Sequence, residues 1–454
     1  MDQSSRGLST QPARPAGDDS SDAGKERLQS ELRGGYSVGD SRVEAPGPRL
    51  QLLIIVLTAA VAFWGFARAW QLYDRMILDE SQVHGQVGLF LAGKFELLRW
   101  PGAEYPAAAM FPGFQSVLAG IAALTGEASP SMLRLYSFSL SLLFAFVVFR
   151  IVRETAGSEW ALLRAAQAYL LPVVFPFHCL LYTDVFSLLV DLAAFWACQR
   201  RSYYVAGLLA LLALFVRQTN VIFIVFLFGY AHLEAHGFQF DSKRLWQQVK
   251  SCWPLLPGLA TFAAFVLLHG RVGLDHPGQQ PAGISAGNLA ISVALAGVLF
   301  FPLHLANIGR LATWIRRRWP LAALFVASAT VVAFVYVPEH PWNKMDWLLR
   351  NQFMALLLDG SVRRLGFAAL LTITGLSLLA TPLLRPAAKM LYPFWFLSLV
   401  PIILVEPRYH MPALLLFLLL RQPESRNVEI ALWAWFAVLS AGLHHGMTAG
   451  HFVL

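Results

Sequence analysis

The sequence has few charged residues, few cysteines and no N-glycosylation sequon. Charged residues make up 14% of the 454 residues, against about 25% in soluble domains, and hydrophobic residues make up 57%. This composition excludes a soluble protein. The three cysteines, Cys179, Cys198 and Cys252, lie in or beside apolar runs, so neither a disulfide framework nor a zinc site is indicated. The absence of any Asn-x-Ser/Thr sequence favours a bacterial origin.

Motifs of nucleotide-dependent chemistry are also missing. The chain has no Walker loop and no G-x-G-x-x-G. No apolar run carries histidine and carboxylate at i, i+4 spacing, so we expect no metal cofactor. The net charge of +8 comes largely from short loops between apolar runs, which is the positive-inside pattern. We therefore expect a lipid bilayer, and no nucleic acid, as a partner.

Apolar runs of about 20 residues recur from Leu50 to the C-terminus. They predict an all-α polytopic membrane protein with about 12 to 13 transmembrane helices, and their length excludes the short alternating strands of a transmembrane barrel. Residues 1–48 are rich in Ser, Gly, Asp, Arg and Pro, which predicts a disordered cytoplasmic tail. Residues 49–454 then form the transmembrane domain.

The charge distribution predicts the topology. A long polar segment follows the first span, and residues 71–131 form the first outer loop if the apolar run 111–125 lies flat at the membrane interface. The basic loops then all face the cytoplasm; they are residues 150–164, 199–204, 236–250, 306–318, 384–389 and 421–427. The opposite loops carry Asp, Glu, His, Asn and Trp. This predicts chemistry on the periplasmic side of a plasma membrane in a bacterium, or on the luminal side of the endoplasmic reticulum in a eukaryote.

The first candidate motif follows the first span directly. Asp79 and Glu80 are adjacent carboxylates, and His84 lies four residues after Glu80. A solvated pair of loop carboxylates is the structural alternative. The position of these residues directly after the first span, at the mouth of the predicted helix bundle, favours a functional role.

The second motif joins two apolar runs on the predicted outer side. It reads Leu181-Tyr182-Thr183-Asp184. Thr183 or Asp184 also makes a good N-cap for the next helix, so the capping and functional interpretations both stay open.

The third motif, Arg217-Gln218-Thr219-Asn220, interrupts an apolar run that extends from Val205 to Tyr230. An arginine at mid-membrane costs about 2.5 to 3.5 kcal/mol on insertion scales, so an anionic or aqueous partner is expected. The alternative to a substrate is an internal ion pair, for instance with Asp191.

The fourth motif, Glu406-Pro407-Arg408-Tyr409, lies at the outer end of another span. Its proline breaks the helix, and Glu406 can hold Arg408 while the guanidinium faces an anion. A plain interfacial anchor of Arg and Tyr is the alternative. Asp275 and His276, in the outer loop after residue 270, are weaker candidates.

Together these motifs resemble the dolichyl-phosphate-glucose α-1,2-glucosyltransferase family, which adds the terminal glucose to the N-glycan lipid precursor. The pair formed by Leu181-Tyr182-Thr183-Asp184 and Phe215-Val216-Arg217-Gln218-Thr219-Asn220 looks like the family's signature, and Glu406-Pro407-Arg408-Tyr409 is similar to its C-terminal motif. Phe111-Pro112-Gly113 resembles a third segment. The resemblance covers about residues 50 to 425. Its departures, such as the spacing of His84, indicate a divergent member and leave the acceptor and the transferred sugar open.

The resemblance implies a GT-C-type bundle with interfacial helices in the first outer loop, and an inverting transfer of a hexose, expected to be glucose. The donor would be a polyprenyl- or dolichyl-phosphate sugar, and the acceptor a lipid-linked or surface glycan. Arg217 and Arg408 would stabilise the phosphate leaving group, and Asp79 would take the acceptor proton with Glu80 in reserve. Further residues would orient the substrates: His84, Tyr182, Asp184, Gln218, Asn220, Asp275, His276, Glu406 and Tyr409.

Two other classes of function remain open at this stage. A transporter or flippase of a lipid-linked anion would use Arg217 to line a path, although the sequence shows no pair of matching halves. A catalytically inactive membrane scaffold is the second alternative, against which the intact Asp79, Arg217 and Arg408 argue.

Overall fold

A computed structural model describes residues 45–77, 80–93, 111–270 and 283–452, and these are mostly helical. No β-strand occurs within the described ranges; one isolated antiparallel bridge joins Leu383 and Arg421. The predicted all-α class is therefore confirmed. Apolar side chains of the described helices form one large buried core and a smaller second cluster around Phe367.

The helices are numbered in chain order. Up to residue 270 they are α1 (Pro48–Trp70), α2 (Glu80–Leu91), α3 (Gly113–Thr125), α4 (Pro130–Thr155), α5 (Ser158–Tyr169), α6 (Thr183–Gln199), α7 (Tyr203–Val216), α8 (Val221–His236), α9 (Ser242–Cys252) and α10 (Leu256–His269). From residue 283 onward they are α11 (Gly287–Leu299), α12 (Phe301–Ala306), α13 (Ile308–Arg317), α14 (Trp319–Val335), α15 (Leu349–Leu358), α16 (Ser361–Ala380), α17 (Leu391–Leu399), α18 (Pro407–Leu420) and α19 (Arg426–Ala449).

Several of these helices are long enough to cross a membrane. Within the described ranges, five segments qualify by length and composition: Pro48–Trp70, Pro130–Thr155, Ser242–Leu268, Ser361–Ala380 and Arg426–Ala449. Counting α13 and α14 as one span broken by a 108° bend gives six. The chain is a multi-pass membrane protein. The predicted 12 to 13 spans exceed this number because several apolar runs divide into shorter helices, as α7 and α8 do on either side of Arg217.

The apolar run 111–125 forms the short helix α3. Its 13 residues extend about 20 Å, less than the roughly 30 Å of a hydrocarbon core. Gly126 ends the helix with a φ of 75°, a conformation that glycine adopts at no steric cost. α2 and α3 pack against each other, which agrees with two short helices in the predicted first outer loop.

A fully buried charged cluster joins α5 to the turn between α18 and α19. The Glu429 carboxylate accepts hydrogen bonds from Arg421 at 2.7 and 2.8 Å, from Arg164 at 3.3 Å and from Gln167 at 2.9 Å. All four side chains are buried. Arg421 follows the last residue of α18, whereas Arg408 lies in its first turn. Helix α18 therefore separates this cluster, which we call the Glu429 cluster, from the charged motif that contains Arg408.

We predict that Glu429→Gln destabilises the protein by about 3 to 5 kcal/mol, because it leaves two buried arginines without a carboxylate. The matched control is Glu234→Gln, which removes a half-exposed ion pair with Arg385 and should cost less than about 1 kcal/mol. Thermal unfolding of the purified protein in detergent measures both. Equal shifts in the two variants would contradict the prediction.

Candidate active site

The structure does not describe every residue of the predicted site. Asp79, Asp275 and His276 lie outside the described ranges. Their proposed roles remain predictions from the sequence.

Glu80, at the start of α2, is completely buried and holds three segments together. Its carboxylate receives two hydrogen bonds from the Arg134 guanidinium, at 3.0 and 2.9 Å, and one each from the backbone amides of Ile77 and Leu181, at 2.8 and 2.9 Å. Arg134 also donates to the Tyr73 carbonyl through Nη1 and to the Arg75 carbonyl through Nη2. The solvated-loop alternative is thus wrong for Glu80, and Arg134 is a partner that the sequence motifs did not indicate.

The second motif lies at the start of α6. Tyr182 is the N-cap residue, without a side-chain capping bond, and Asp184 lies in the first helical turn. The hydroxyl of Tyr182 donates to the Ile77 carbonyl at 3.1 Å, so it too contacts the segment before α2. The Asp184 carboxylate is 1% exposed and forms a salt bridge with Arg217. Asp184 therefore forms an ion pair instead of capping the helix.

Arg217 lies at a break between two helices, not inside one continuous span. α7 ends at Val216, Arg217 has extended backbone angles, and Gln218–Asn220 form one turn of 3-10 helix before α8. The Asn220 amide donates to the Ser187 hydroxyl at 2.7 Å and to the Ala213 carbonyl at 2.9 Å, so it satisfies part of the broken helix end. The expected internal ion pair is present, but the partner is Asp184 instead of Asp191.

The fourth motif brings a second arginine to the same place. Glu406 directly precedes α18 and forms a salt bridge with Arg408. Arg408 is 3.9 Å from the other oxygen of Asp184, and its guanidinium lies 5.3 Å from the centre of the Tyr182 ring, within cation–π range. With a side chain only 14% exposed, Arg408 does not fit a plain interfacial anchor.

A third arginine, Arg350 in the first turn of α15, completes the group. Its guanidinium is 3.8 Å from Glu406 and its side chain is 6% exposed. Sequence reasoning missed Arg350, although a lone arginine near a membrane surface that needs an anionic partner is a readable signal. We call Asp184, Arg217, Arg350, Glu406 and Arg408 the arginine cluster.

Asparagine side chains hold the backbone just before Glu406. Asn288 donates to the carbonyls of Ile402 and Leu404, at 2.6 and 2.9 Å. Asn343 accepts from the amide of Val405 at 3.2 Å. These bonds fix an irregular segment that would otherwise expose unpaired backbone groups, and so they fix the position of Glu406.

Part of the arginine cluster lines a cleft between α6, α8, α17 and α18. The cleft holds about 50 Å³ of cavity volume accessible to water, and about 550 Å³ of empty space when its open mouth is included. Asp184, Asn220, Arg217, Arg408 and Tyr409 contribute polar groups. Apolar side chains complete the wall, among them Leu188, Ile222, Phe223, Phe394 and Met411. Gln218 is buried beside Arg217, and His84 is half-buried on α2; neither lines this cleft.

The fold and site together define a multi-pass helical membrane protein with buried arginine–carboxylate pairs at an apolar-walled cleft. Residues 108–244 match the model of the DIE2/ALG10 family. This match confirms the predicted resemblance over a segment that includes Asp184 and Arg217, whereas the motif at Glu406 lies outside it.

Two curated relatives, each named Dol-P-Glc:Glc(2)Man(9)GlcNAc(2)-PP-Dol alpha-1,2-glucosyltransferase, are similar to part of the chain. The protein from Arabidopsis thaliana is 32% identical over 133 residues, which are 28% of this chain and 26% of that protein. The protein from Neurospora crassa is 34% identical over 125 residues, 23% of this chain and 16% of that protein. The chain therefore spans about a quarter or less of the length of the curated relatives it matches. The crystal structure of ArnT from Cupriavidus metallidurans in the apo state has a TM-score of 0.40 and 14% identity, over 87% of this chain and 77% of that chain.

The charge environment of Glu406 predicts a pH-dependent contribution to stability. Burial raises the pKa of this carboxyl, but the positive charges of Arg408 and Arg350 outweigh that effect and lower the pKa below its usual 4.5. The ionised carboxylate therefore stabilises the fold above about pH 4.5, and this stabilisation is lost as the pH falls through the lowered pKa. The melting temperature of Glu406→Gln should lie below that of the wild type at pH 7 and approach it in acid.

The matched control for this experiment is Glu154→Gln, which removes an exposed carboxylate 3.6 Å from Arg150. Its melting temperature should stay close to that of the wild type at every pH. A difference for Glu406→Gln that persists unchanged below pH 4 would contradict the assignment.

Proposed function

We propose that the chain is an inverting hexosyltransferase of GT-C type. It moves a hexose, glucose by analogy with the relatives' names, from a polyprenyl- or dolichyl-phosphate sugar to a lipid-linked or surface glycan on the non-cytoplasmic face of the membrane. The observation that carries this proposal is the arginine cluster at the cleft. Two of its guanidiniums line a site with apolar walls, and one of them, Arg217, lies in the segment that matches the family model.

The leaving group explains why arginines are needed. A polyprenyl phosphate departs as an anion that is already a weak base, so the transition state gains more from fixed positive charge than from a proton donor. Arg217 and Arg408 offer planar, permanently charged groups that bind phosphate oxygens in pairs. Asp184 holds both guanidiniums close together before substrate binds, which lowers the cost of assembling the site.

The apolar wall suits the lipid part of the donor. Ile222, Phe223, Phe394 and Met411 line the cleft beside the arginines. A prenyl chain packed there remains out of water while its phosphate contacts the charged groups. The lining of one cleft thus offers groups that suit both chemical halves of such a donor.

Asp79 is the proposed base that takes the proton of the acceptor hydroxyl. Glu80 acts as a positioning residue in place of the reserve base, because its carboxylate already accepts four hydrogen bonds, the full capacity of its lone pairs. Through Arg134 and Leu181 it ties the segment around Asp79 to α4 and to the start of α6.

A second candidate function is the transport of a lipid-linked anion. The helix break at Arg217 favours it, because transporters often bind substrate at interrupted helices. The assay below separates the two, since a transporter moves the intact donor and forms no new glycosidic bond.

We predict that Asp79→Asn lowers the rate of hexose transfer about 100- to 10,000-fold, because no other group takes the acceptor proton. Transfer from radiolabelled polyprenyl-phosphate glucose to lipid extract measures this rate. Asp74→Asn, which changes an exposed carboxylate five residues earlier, is the matched control and should retain activity. Transfer by Asp79→Asn at the wild-type rate would contradict the mechanism, and donor movement without transfer would favour the transporter.

We predict that Arg217→Lys lowers kcat/KM about 10- to 100-fold, the cost of one charge-assisted hydrogen bond, because lysine keeps the charge but loses the paired geometry. Arg217→Gln should lower it further, since the charge is lost as well. Arg153→Gln, an exposed arginine on α4, is the control. Steady-state kinetics with varied donor measure the effect, and equal activity of the Lys and Gln variants would contradict a role in charge stabilisation.

A further inference from the structure

Asp191 is a buried carboxylate in the cleft that the proposed mechanism does not use. It lies in the middle of α6, is 2% exposed and lines the same cleft as the arginine cluster. Among the residues that the structure describes, none makes a hydrogen bond or salt bridge with its carboxylate; the Arg217 guanidinium acts on it only through its charge and is bound by Asp184 instead.

The position of Asp191 along α6 gives the cleft a second polar point. Asp184, Ser187 and Asp191 all line it, and their spacing of three and four residues places them on one helix face. Seven residues separate the two aspartates, which is about 10 Å along the helix axis. The Ser187 hydroxyl between them accepts from Asn220. The cleft therefore has positive charge at one end and the carboxyl group of Asp191 two turns away.

This arrangement specifies the chemistry of a ligand. Burying a carboxylate without hydrogen bonds is costly, and hydrocarbon supplies none, so a prenyl chain does not satisfy Asp191. A molecule with an anionic group at the arginines needs hydrogen-bond donors at its other end. A hexose joined through its anomeric carbon to phosphate has this form, because its remaining hydroxyls lie away from the phosphate.

We propose that Asp191 determines specificity for the donor sugar by accepting hydrogen bonds from hydroxyls remote from the anomeric carbon. This inference rests on the proposed function and extends it to the sugar subsite. Polar groups of α6 and Asn220 then face the sugar, while Phe223 and Phe394 face the lipid. Binding is by hydrogen bonds alone, and Asp191 takes no part in the chemical step.

The test compares wild type, Asp191→Asn and Asp191→Ala as full-length proteins in detergent. The donors are polyprenyl-phosphate glucose and a set of analogues in which each hydroxyl remote from the anomeric carbon is removed in turn. For the wild type, kcat/KM should fall about 5- to 150-fold with one analogue, the effect of leaving a buried polar group without its hydrogen-bond partner. For Asp191→Ala, kcat/KM with glucose should fall by a similar factor, and removal of the same hydroxyl should have little further effect.

Loss of discrimination is a result that misfolding does not produce, and Asp359→Asn, an exposed carboxylate, should behave as the wild type. Asp191→Asn preserves shape and should show partial discrimination, since its amide oxygen still accepts. Variants that reject each analogue as strongly as the wild type would overturn the inference. If the wild type transfers no hexose from any polyprenyl phosphate, the proposed function itself fails.

Discussion

Each arginine buried in an apolar helical bundle needs a carboxylate partner, and the resulting ion pairs connect the helices of the described structure. Removing a charge from water costs several kcal/mol, which only a well-placed counter-charge and hydrogen bonds offset. Three groupings satisfy this need: Arg134 with Glu80, the Glu429 cluster and the arginine cluster. Each joins helices far apart in the sequence. The carboxylates therefore act as fixed points between which the apolar helices pack.

The groupings differ in how completely they are satisfied. Glu80 and Glu429 are fully enclosed and bound by donors from several segments, as expected of structural links. The arginine cluster instead borders an open cleft, and Arg408 retains some exposure. A positive charge that is held by carboxylates yet borders a cavity is available to a second anion. This difference in enclosure distinguishes a site from a structural link.

The sequence allowed the all-α class and much of the candidate site to be predicted. Polar residues in or beside apolar runs indicate a structural or functional role. The structure brings together four residues of this kind: Tyr182, Asp184, Arg217 and Glu406. Arg134 and Arg350 were missed because the partner of a buried charge is set by contacts between distant helices, which hydrophobic periodicity does not encode. The breaks within apolar runs were missed for a similar reason, since four polar residues such as 217–220 hardly change the mean hydropathy of a long window.

The paired carboxylates after the first span illustrate the same limit at the level of one motif. From the sequence alone, Asp79 is the expected base and Glu80 the reserve, although both residue types can act as a base. The structure distinguishes the two residues, because the Glu80 carboxylate already accepts four hydrogen bonds, from Arg134 and from two backbone amides. A carboxylate in that state has no lone pair left for an acceptor hydroxyl. The proposal that Asp79 is the base therefore rests on what its neighbour is already bound to.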